Sequence, residues 1–372
     1  MVYCAEMVSY AVNGERSQSV HKRKRMDGAA SPSVEALTPA QQRQAARHRK
    51  QKLMSKLSDS GFEEDLMSSP IPSPFRTDVP PLHPDQQKPG QLSCWYLQYG
   101  DIGFKIQREK EAQFHPCKSL VRQPQLTEEA RCTLVSWLIQ VHRHFRLSFE
   151  CCCLAVNITD RFLASTPVAA DCFQLLGVSA LLLASKQVEM CSPQISHLLS
   201  LCCDAFTKEQ LCNLECLILR RLNFRLDAPT LAFFLDYYTN CIEAAQLVPE
   251  STCGDRFQRP RRCSHLAQKV CELTLADYAF NKYPPSLTAG CALRIASKLL
   301  KTEQGLAAVQ SQEDQWDSFV NDLCTKAAQP PDSPLAMKDH SFAEDQANLA
   351  AECKDNLRLL VSLNQEALAQ IE

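Results

Sequence analysis

Two ionisable side chains stand where the residue pattern calls for apolar ones. Glu215 lies among Leu211, Ile218 and Leu222, inside the apolar stripe that a period of roughly 100° per residue draws on a helix rather than opposite it. Lys186 is the only ionisable side chain between Asp171 and Glu189 apart from Cys172, and it ends the most hydrophobic run of the chain. An unpaired buried carboxylate or ammonium is costly, so each is expected to find a partner or reach a surface. Taken singly, Lys186 is a cation favoured by the C-terminal end of its helix dipole, and Glu215 is a rim residue. Together they suggest an opposite-charge pair with donors and acceptors left over for another chain. Asp160 has Arg131 as its candidate partner, a pair that reads as structural.

The remaining chemistry-bearing residues point away from catalysis. The chain has no G-x-S-x-G elbow, no H-E-x-x-H, no Walker loop and no zinc-deaminase motif. Its 20 cysteines include no C-x₂-C unit, although Cys212 and Cys216 lie one helical turn apart with His142 and His144 in the neighbouring sequence. The expectation is no metal, and reduced thiols acting as small core hydrophobes. Only 10 glycines occur, and Gly177 alone falls within 126–226, which leaves no glycine-rich loop to cradle a phosphate. No cofactor is expected. No apolar stretch free of charge and proline is long enough for a membrane span, and Glu6 with no basic run makes the first residues a poor signal peptide. No membrane partner is expected.

The 372 residues carry 40 Lys and Arg against 42 Asp and Glu, a net charge of −2. The charge is uneven: residues 1–56 hold 11 basic and 4 acidic side chains, giving +7 and leaving −9 for the remainder. Residues 1–90 combine the run His21-Lys22-Arg23-Lys24-Arg25, a second run Arg47-His48-Arg49-Lys50, and a segment crowded with Pro70, Pro72, Pro74, Pro80, Pro81 and Pro84. Such a stretch lacks the apolar surface to offset the entropy of ordering, and a disordered tail is expected. Lys22, Arg23, Lys24 and Arg25 fit a nuclear-import signal or a solvated charge run, and residence in nucleus and cytoplasm is the expectation. Ser31-Pro32, Thr38-Pro39, Ser69-Pro70 and Ser73-Pro74 are four short sites for proline-directed phosphorylation.

The elements that must position these side chains read as helices. Residues 95–114 form one amphipathic helix ended by His115-Pro116, within a segment 91–125 of helix and linker. Five more follow in 126–227. Thr127 opens the first, with Leu134, Trp137, Leu138 and Val141 on its apolar face, and Ser148 caps the second. The third, about 169–187, is apolar nearly all round and belongs in the middle of a bundle. Ser192-Pro193 predicts a cap with proline at the first helical position, and Thr207-x-x-Gln210 is a capping box. A second set spans 228–372, with helices at 229–246, 261–280, 284–300 and 346–370 and a polar insertion near 303–340. The pattern Leu175-x₄-Ala180-Leu181-x-Leu183-Ala184-Ser185-Lys186 recurs as Leu287-x₄-Ala292-Leu293-x-Ile295-Ala296-Ser297-Lys298, each in the third helix of its set, which favours a duplicated fold.

Arg131-x-x-Leu134-x-x-Trp137-Leu138, Glu150, Leu154-Ala155-Val156, Asp160-Arg161-Phe162-Leu163, Leu183-Ala184-Ser185-Lys186, Glu215 and Leu222-x-Phe224 follow one another in an order that resembles the cyclin box. Leu273-x-Leu275-x-Asp277 through Tyr283-Pro284-x-Ser286 and Ala289-Gly290 is similar to the second cyclin fold, so the resemblance covers about 95–300. It implies an all-α chain of tandem five-helix cyclin folds preceded by an N-terminal helix and a disordered tail. It further implies a non-catalytic subunit that binds and activates a cyclin-dependent kinase. Residues matching Lys186 and Glu215 contact the kinase helix that carries the catalytic glutamate in this family, and those matching Leu183, Leu219 and Phe224 supply apolar contact. Arg131, Leu134, Trp137 and Gln174 match a patch that docks Arg-x-Leu substrates. Three positions depart from the family pattern: Gln187 replaces an aromatic, Ala130 a methionine, and Gln140 a glutamate that reads basic motifs.

Two other classes are set against this reading. Basal transcription factors share tandem cyclin folds but need basic helices to read phosphate, whereas the folded part here is acidic, so nucleic acid is not an expected partner. A DNA-repair glycosylase needs a G-Q-D-P-Y-H loop to activate water, and the chain has none.

Overall fold

A computed structural model describes residues 92–116, 118–246, 258–304, 318–323, 325–326, 340–365 and 368. The expected tail, with Lys22, Arg23, Lys24 and Arg25, and most of the polar insertion lie outside the described residues. Among the described residues there is no strand. The principal helices are α1 (Cys94–Phe114), α2 (Glu128–His144), α3 (Phe149–Ser165), α4 (Phe173–Val188), α5 (Ile195–Leu201), α6 (Lys208–Arg221), α7 (Leu231–Gln246), α8 (Gln258–Ala276), α9 (Pro285–Gln304) and α10 (His340–Leu363).

Local chemistry sets most boundaries. Thr127 accepts a hydrogen bond from the Ala130 N–H at the start of α2, Ser148 does the same for Cys151 at α3, and the Thr207/Gln210 capping box is complete at α6. Four expectations need correction. Helix α1 is kinked at Gly100, where φ 15° and ψ −107° leave the helical region. A 3₁₀ turn over Ala170–Cys172 precedes α4, so the α-helix starts later than its apolar composition suggested. Ser192-Pro193 does not open α5: that helix begins at Ile195, after an extended Gln194 that makes no side-chain cap. The helix expected over 261–280 ends at Ala276, because the Asp277 carboxylate accepts from the Ala279 N–H and turns the chain into a 3₁₀ segment over Tyr278–Lys282.

Helices α2, α3 and α6 pack around α4, where Leu176, Val178, Ala180, Leu181 and Ala184 are fully buried. In the second set α9 is the corresponding helix, with Ala289, Ala292 and Ala296 fully buried, and the repeated motif falls on α4 and α9. Small residues at these positions let neighbouring helices approach closely. Gly177 shows how closely: a Cβ there would sit 2.8 Å from a Leu134 methyl. Helix α1 packs on α7 through rings, with Phe104 stacked on Tyr237 at 4.4 Å and Trp95 tilted against Phe233 at 5.0 Å between centroids. The Glu111 carboxylate accepts from the N–H of Ser286, closing the N-terminus of α9.

The seam between the two sets is apolar and charged at once. Val135, Ile139, Cys152, Cys153 and Val156 of the first set belong to the core of the second. Arg143 pairs with Glu272, which is 4% exposed. The buried Arg131 guanidinium makes two bonds to Asp160, at 2.8 Å and 2.7 Å, and reaches the Leu275 carbonyl oxygen at 3.1 Å. Burial disfavours the Arg131 charge, and the facing Asp160 carboxylate outweighs it, so its pKa is raised.

Glu150 also lies in this seam and accepts from the Thr230 hydroxyl at 2.5 Å. Burial raises its pKa from 4.5 to about 7, with the Asp236 charge adding to the rise and the Thr230 hydroxyl opposing it. A carboxyl whose pKa is raised on folding favours the folded state most at low pH, and stability falls as pH climbs through the folded value. The Glu150→Gln variant removes that slope. The stability difference between wild type and variant is expected to change by about 3 kcal/mol between pH 4.5 and pH 8, the variant gaining as pH rises. Urea unfolding at both ends of that range measures it.

Candidate functional site

Helix α4 ends where Glu189 turns extended, its N–H bonding the Ser185 carbonyl oxygen. The Glu189 carboxylate accepts from both the N–H and the hydroxyl of Ser148, at 2.8 Å and 2.7 Å, so the end of α4 is fastened to the start of α3. Lys186 sits in that last turn, with Nζ 2.9 Å from Oε1 of Glu215 in the middle of α6. The side chains are 37% and 14% exposed, so the pair lies at the rim of the apolar packing between the two helices. An ion pair this open contributes about 1 kcal/mol or less to folding. Its geometry leaves two ammonium hydrogens and Oε2 without a partner among the described residues. The arrangement can hold a fixed dipole and offer charge-assisted hydrogen bonds to a third group.

Apolar residues flank the pair unequally. Leu183 is 4% exposed and belongs to the core, so it supports the face from beneath rather than forming its surface. Leu219 is half-buried, whereas Phe224 is 70% exposed. Phe224 follows Asn223 in the left-handed region, with φ 58° and 53°, and its N–H donates to the Leu219 carbonyl oxygen at 2.9 Å. A bulky residue adopts that conformation at a cost, and here the turn closes the C-terminus of α6 and aims the ring outward. Met190 and Val188, just beyond Lys186, are fully and 36% exposed. Sequence reasoning missed Met190, for which the available signal was an apolar side chain in the polar segment after α4.

The residues expected to form a substrate-docking patch are placed differently. Arg131 is 3% exposed and committed to Asp160 and the second helical set, which removes it from any docking surface. Leu134 and Trp137 are 6% and 5% exposed and pack in the first core, because α2 turns that face inward onto α4. Gln174 is half-buried, and Gln140 is exposed. Among the described residues no three His, Cys, Asp or Glu side chains converge as a metal site would require, and no helix is long and apolar enough to cross a membrane. Half of the 16 thiols in the described residues are buried, where burial pushes the Cys202 pKa up to about 12 and raises that of Cys153 as well.

Comparison with known proteins gives a consistent picture. Residues 103–227 match the family model described as cyclin, N-terminal domain, and residues 229–351 match cyclin, C-terminal domain. The chain is 40% identical over 349 residues to cyclin-O protein B of Xenopus laevis, covering 92% of this chain and 85% of that one. It is 46% identical over 255 residues to cyclin-O of Homo sapiens, covering 66% and 70% of the two chains. Among solved structures, a viral cyclin from herpesvirus saimiri aligns with TM-score 0.49 at 19% identity, over 69% of this chain and 96% of that one.

Proposed function

The chain belongs to the cyclin family, and we propose that it binds and activates a cyclin-dependent kinase through the face built around Lys186 and Glu215. The observation that carries the reading is the 2.9 Å pair bridging α4 and α6, open to solvent on one side and followed along the chain by the exposed ring of Phe224. A protein kinase is active only when its β3 lysine pairs with a glutamate on a mobile helix. A rigid bundle pressed against that helix can hold the glutamate inward, and α4 is rigid because its core face is fully buried and its end is fastened to Ser148. In this reading the chain contributes no catalytic group of its own.

Affinity purification of the tagged full chain, followed by identification of bound proteins, tests this. Co-elution of a cyclin-dependent kinase that phosphorylates substrate only in the presence of the chain is the expected result. Recovery without any kinase would overturn the proposal.

Finer readings rest on the likeness to cyclin-O proteins. The programme served is a cell-cycle-like one, centriole amplification during multiciliated cell differentiation, and depletion in such cells should lower centriole number. Docking of Arg-x-Leu substrates would rest on the half-buried Gln174, with Arg131, Leu134 and Trp137 behind it in the fold. Residence in both nucleus and cytoplasm rests on the basic residues Lys22–Arg25, and imaging of a chain lacking 1–56 tests it.

A further inference from the structure

Phe114, the last residue of α1, is 3% exposed and has two guanidinium groups against its ring. The Arg161 Cζ, from α3, lies 4.7 Å from the ring centroid, and the Arg225 Cζ, beyond the end of α6, lies 4.9 Å from it. The two arginines also touch each other, since Nη1 of Arg161 donates to the Arg225 carbonyl oxygen at 2.9 Å. Arg225 in turn donates from Nη2 to Gln113 Oε1 at 2.9 Å. Among the described residues neither guanidinium pairs with a carboxylate within salt-bridge distance, and each donates a single hydrogen bond. A guanidinium carries five N–H donors in a planar fork, so most of the fork on each arginine is unused.

The local charge is not balanced. Asp227 is the carboxylate of this cluster, and it is held by Lys110 at 3.0 Å. Arg161, Arg225 and Lys110 against Asp227 leave an excess of two positive charges. Burial, and then the neighbouring Arg225 charge, lower the Arg161 pKa, as expected where like charges are crowded, while Asp227 works the other way. Cation–π contact with Phe114 fixes both forks in place, but it does not neutralise them.

We infer that Arg161 and Arg225, braced on Phe114, form a receptor for a phosphomonoester on a serine or threonine side chain of an incoming polypeptide. A phosphate carries close to two negative charges near neutral pH and three acceptor oxygens, which matches two guanidinium forks and an excess of two, whereas a single carboxylate supplies half that charge. Arg225 is exposed and directly follows Phe224, so the receptor is continuous along the chain with the proposed kinase-docking face. That continuity rests on the proposed function; the anion site itself does not.

Fluorescence anisotropy with the full chain and a labelled peptide Ala-Leu-pThr-Pro-Ala, with unphosphorylated Thr and Glu versions alongside, tests the assignment without any kinase present. The phosphopeptide is expected to bind at least tenfold more tightly than either control. Arg225→Ala, at an exposed position, should remove that preference, and Arg225→Lys should restore only part of it, because an ammonium cannot form a fork. Equal affinity for the phosphorylated and Thr peptides, equal affinity for the Glu peptide, or a preference that survives in both Arg225→Ala and Arg161→Gln would each overturn it. Phosphorylating the chain beforehand with a proline-directed kinase separates the sources. Weakened binding of the added peptide means that a phosphorylated Ser/Thr-Pro site of the chain itself competes for the receptor, and unchanged binding means that the phosphate arrives on another polypeptide.

Discussion

Lys186→Glu abolishes kinase activation while the helical circular dichroism of the purified chain stays unchanged: that is the expected result of the largest functional perturbation this fold allows. Reversal sets two carboxylates against each other where Nζ and Oε1 now lie 2.9 Å apart. The fold tolerates this because the lysine is 37% exposed and its pairing contributes about 1 kcal/mol or less. The interface does not, since truncating one member of a hydrogen-bonded charge pair at a protein contact costs roughly 2–5 kcal/mol, on the order of 100-fold in affinity. Glu215→Ala acts in the same sense, and Phe224→Ala removes an exposed aromatic anchor of the kind that contributes about 2 kcal/mol or more. The double swap Lys186→Glu with Glu215→Lys separates the two roles. It restores the ion pair but presents reversed polarity, so thermal stability should recover while activation does not. Unfolding of the single variants would show that the charges serve the fold, and recovered activity in the swap would remove the interface assignment.

The largest effect on stability is expected at Asp160→Ala. It strands the Arg131 guanidinium at 3% exposure with neither of its two carboxylate bonds. Breaking a buried pair from one side costs about 3–5 kcal/mol. For a folded unit of this size that corresponds to a fall in Tm of about 10 °C in differential scanning calorimetry. The loss extends beyond the first helical set, because Arg131 also holds the Leu275 carbonyl at the end of α8 and lies 5.5 Å from the Tyr278 ring centroid. Replacing both partners, Arg131→Met with Asp160→Leu, removes the stranded charge and should return most of the stability. A Tm within about 2 °C of wild type in the Asp160→Ala variant would mean that the pair does not hold the two sets together.

Much of this was legible in the linear chain, for identifiable reasons. Caps act over three or four residues, so Thr127, Ser148 and the Thr207/Gln210 box could be read directly, and so could the all-round apolar character of α4. Ser192-Pro193 failed because proline favours a helix start only if the next residues are free to follow, and Gln194 is held extended. The break at Ala276 was missed because a single side-chain bond from Asp277 outweighs a continuing apolar period. The burial of Arg131, Leu134 and Trp137 is a different matter. Periodicity says that Leu134 and Trp137 share a face with Arg131, but not whether that face meets solvent or α4.

The residue order alone determined that this protein is helical, duplicated and marked by two charges out of place, because each of those properties is written in residue types and their spacing along single helices, the duplication in two such helices that match. Which charges meet was decided only by the tertiary structure. Lys186 and Glu215 are 29 residues apart, Arg161 and Arg225 are 64 apart, and the first pair is complementary whereas the second is not. A helix period fixes which side chains share a stripe, but the rotation of one helix against another is set by how whole cores pack, and that packing brings these charges together.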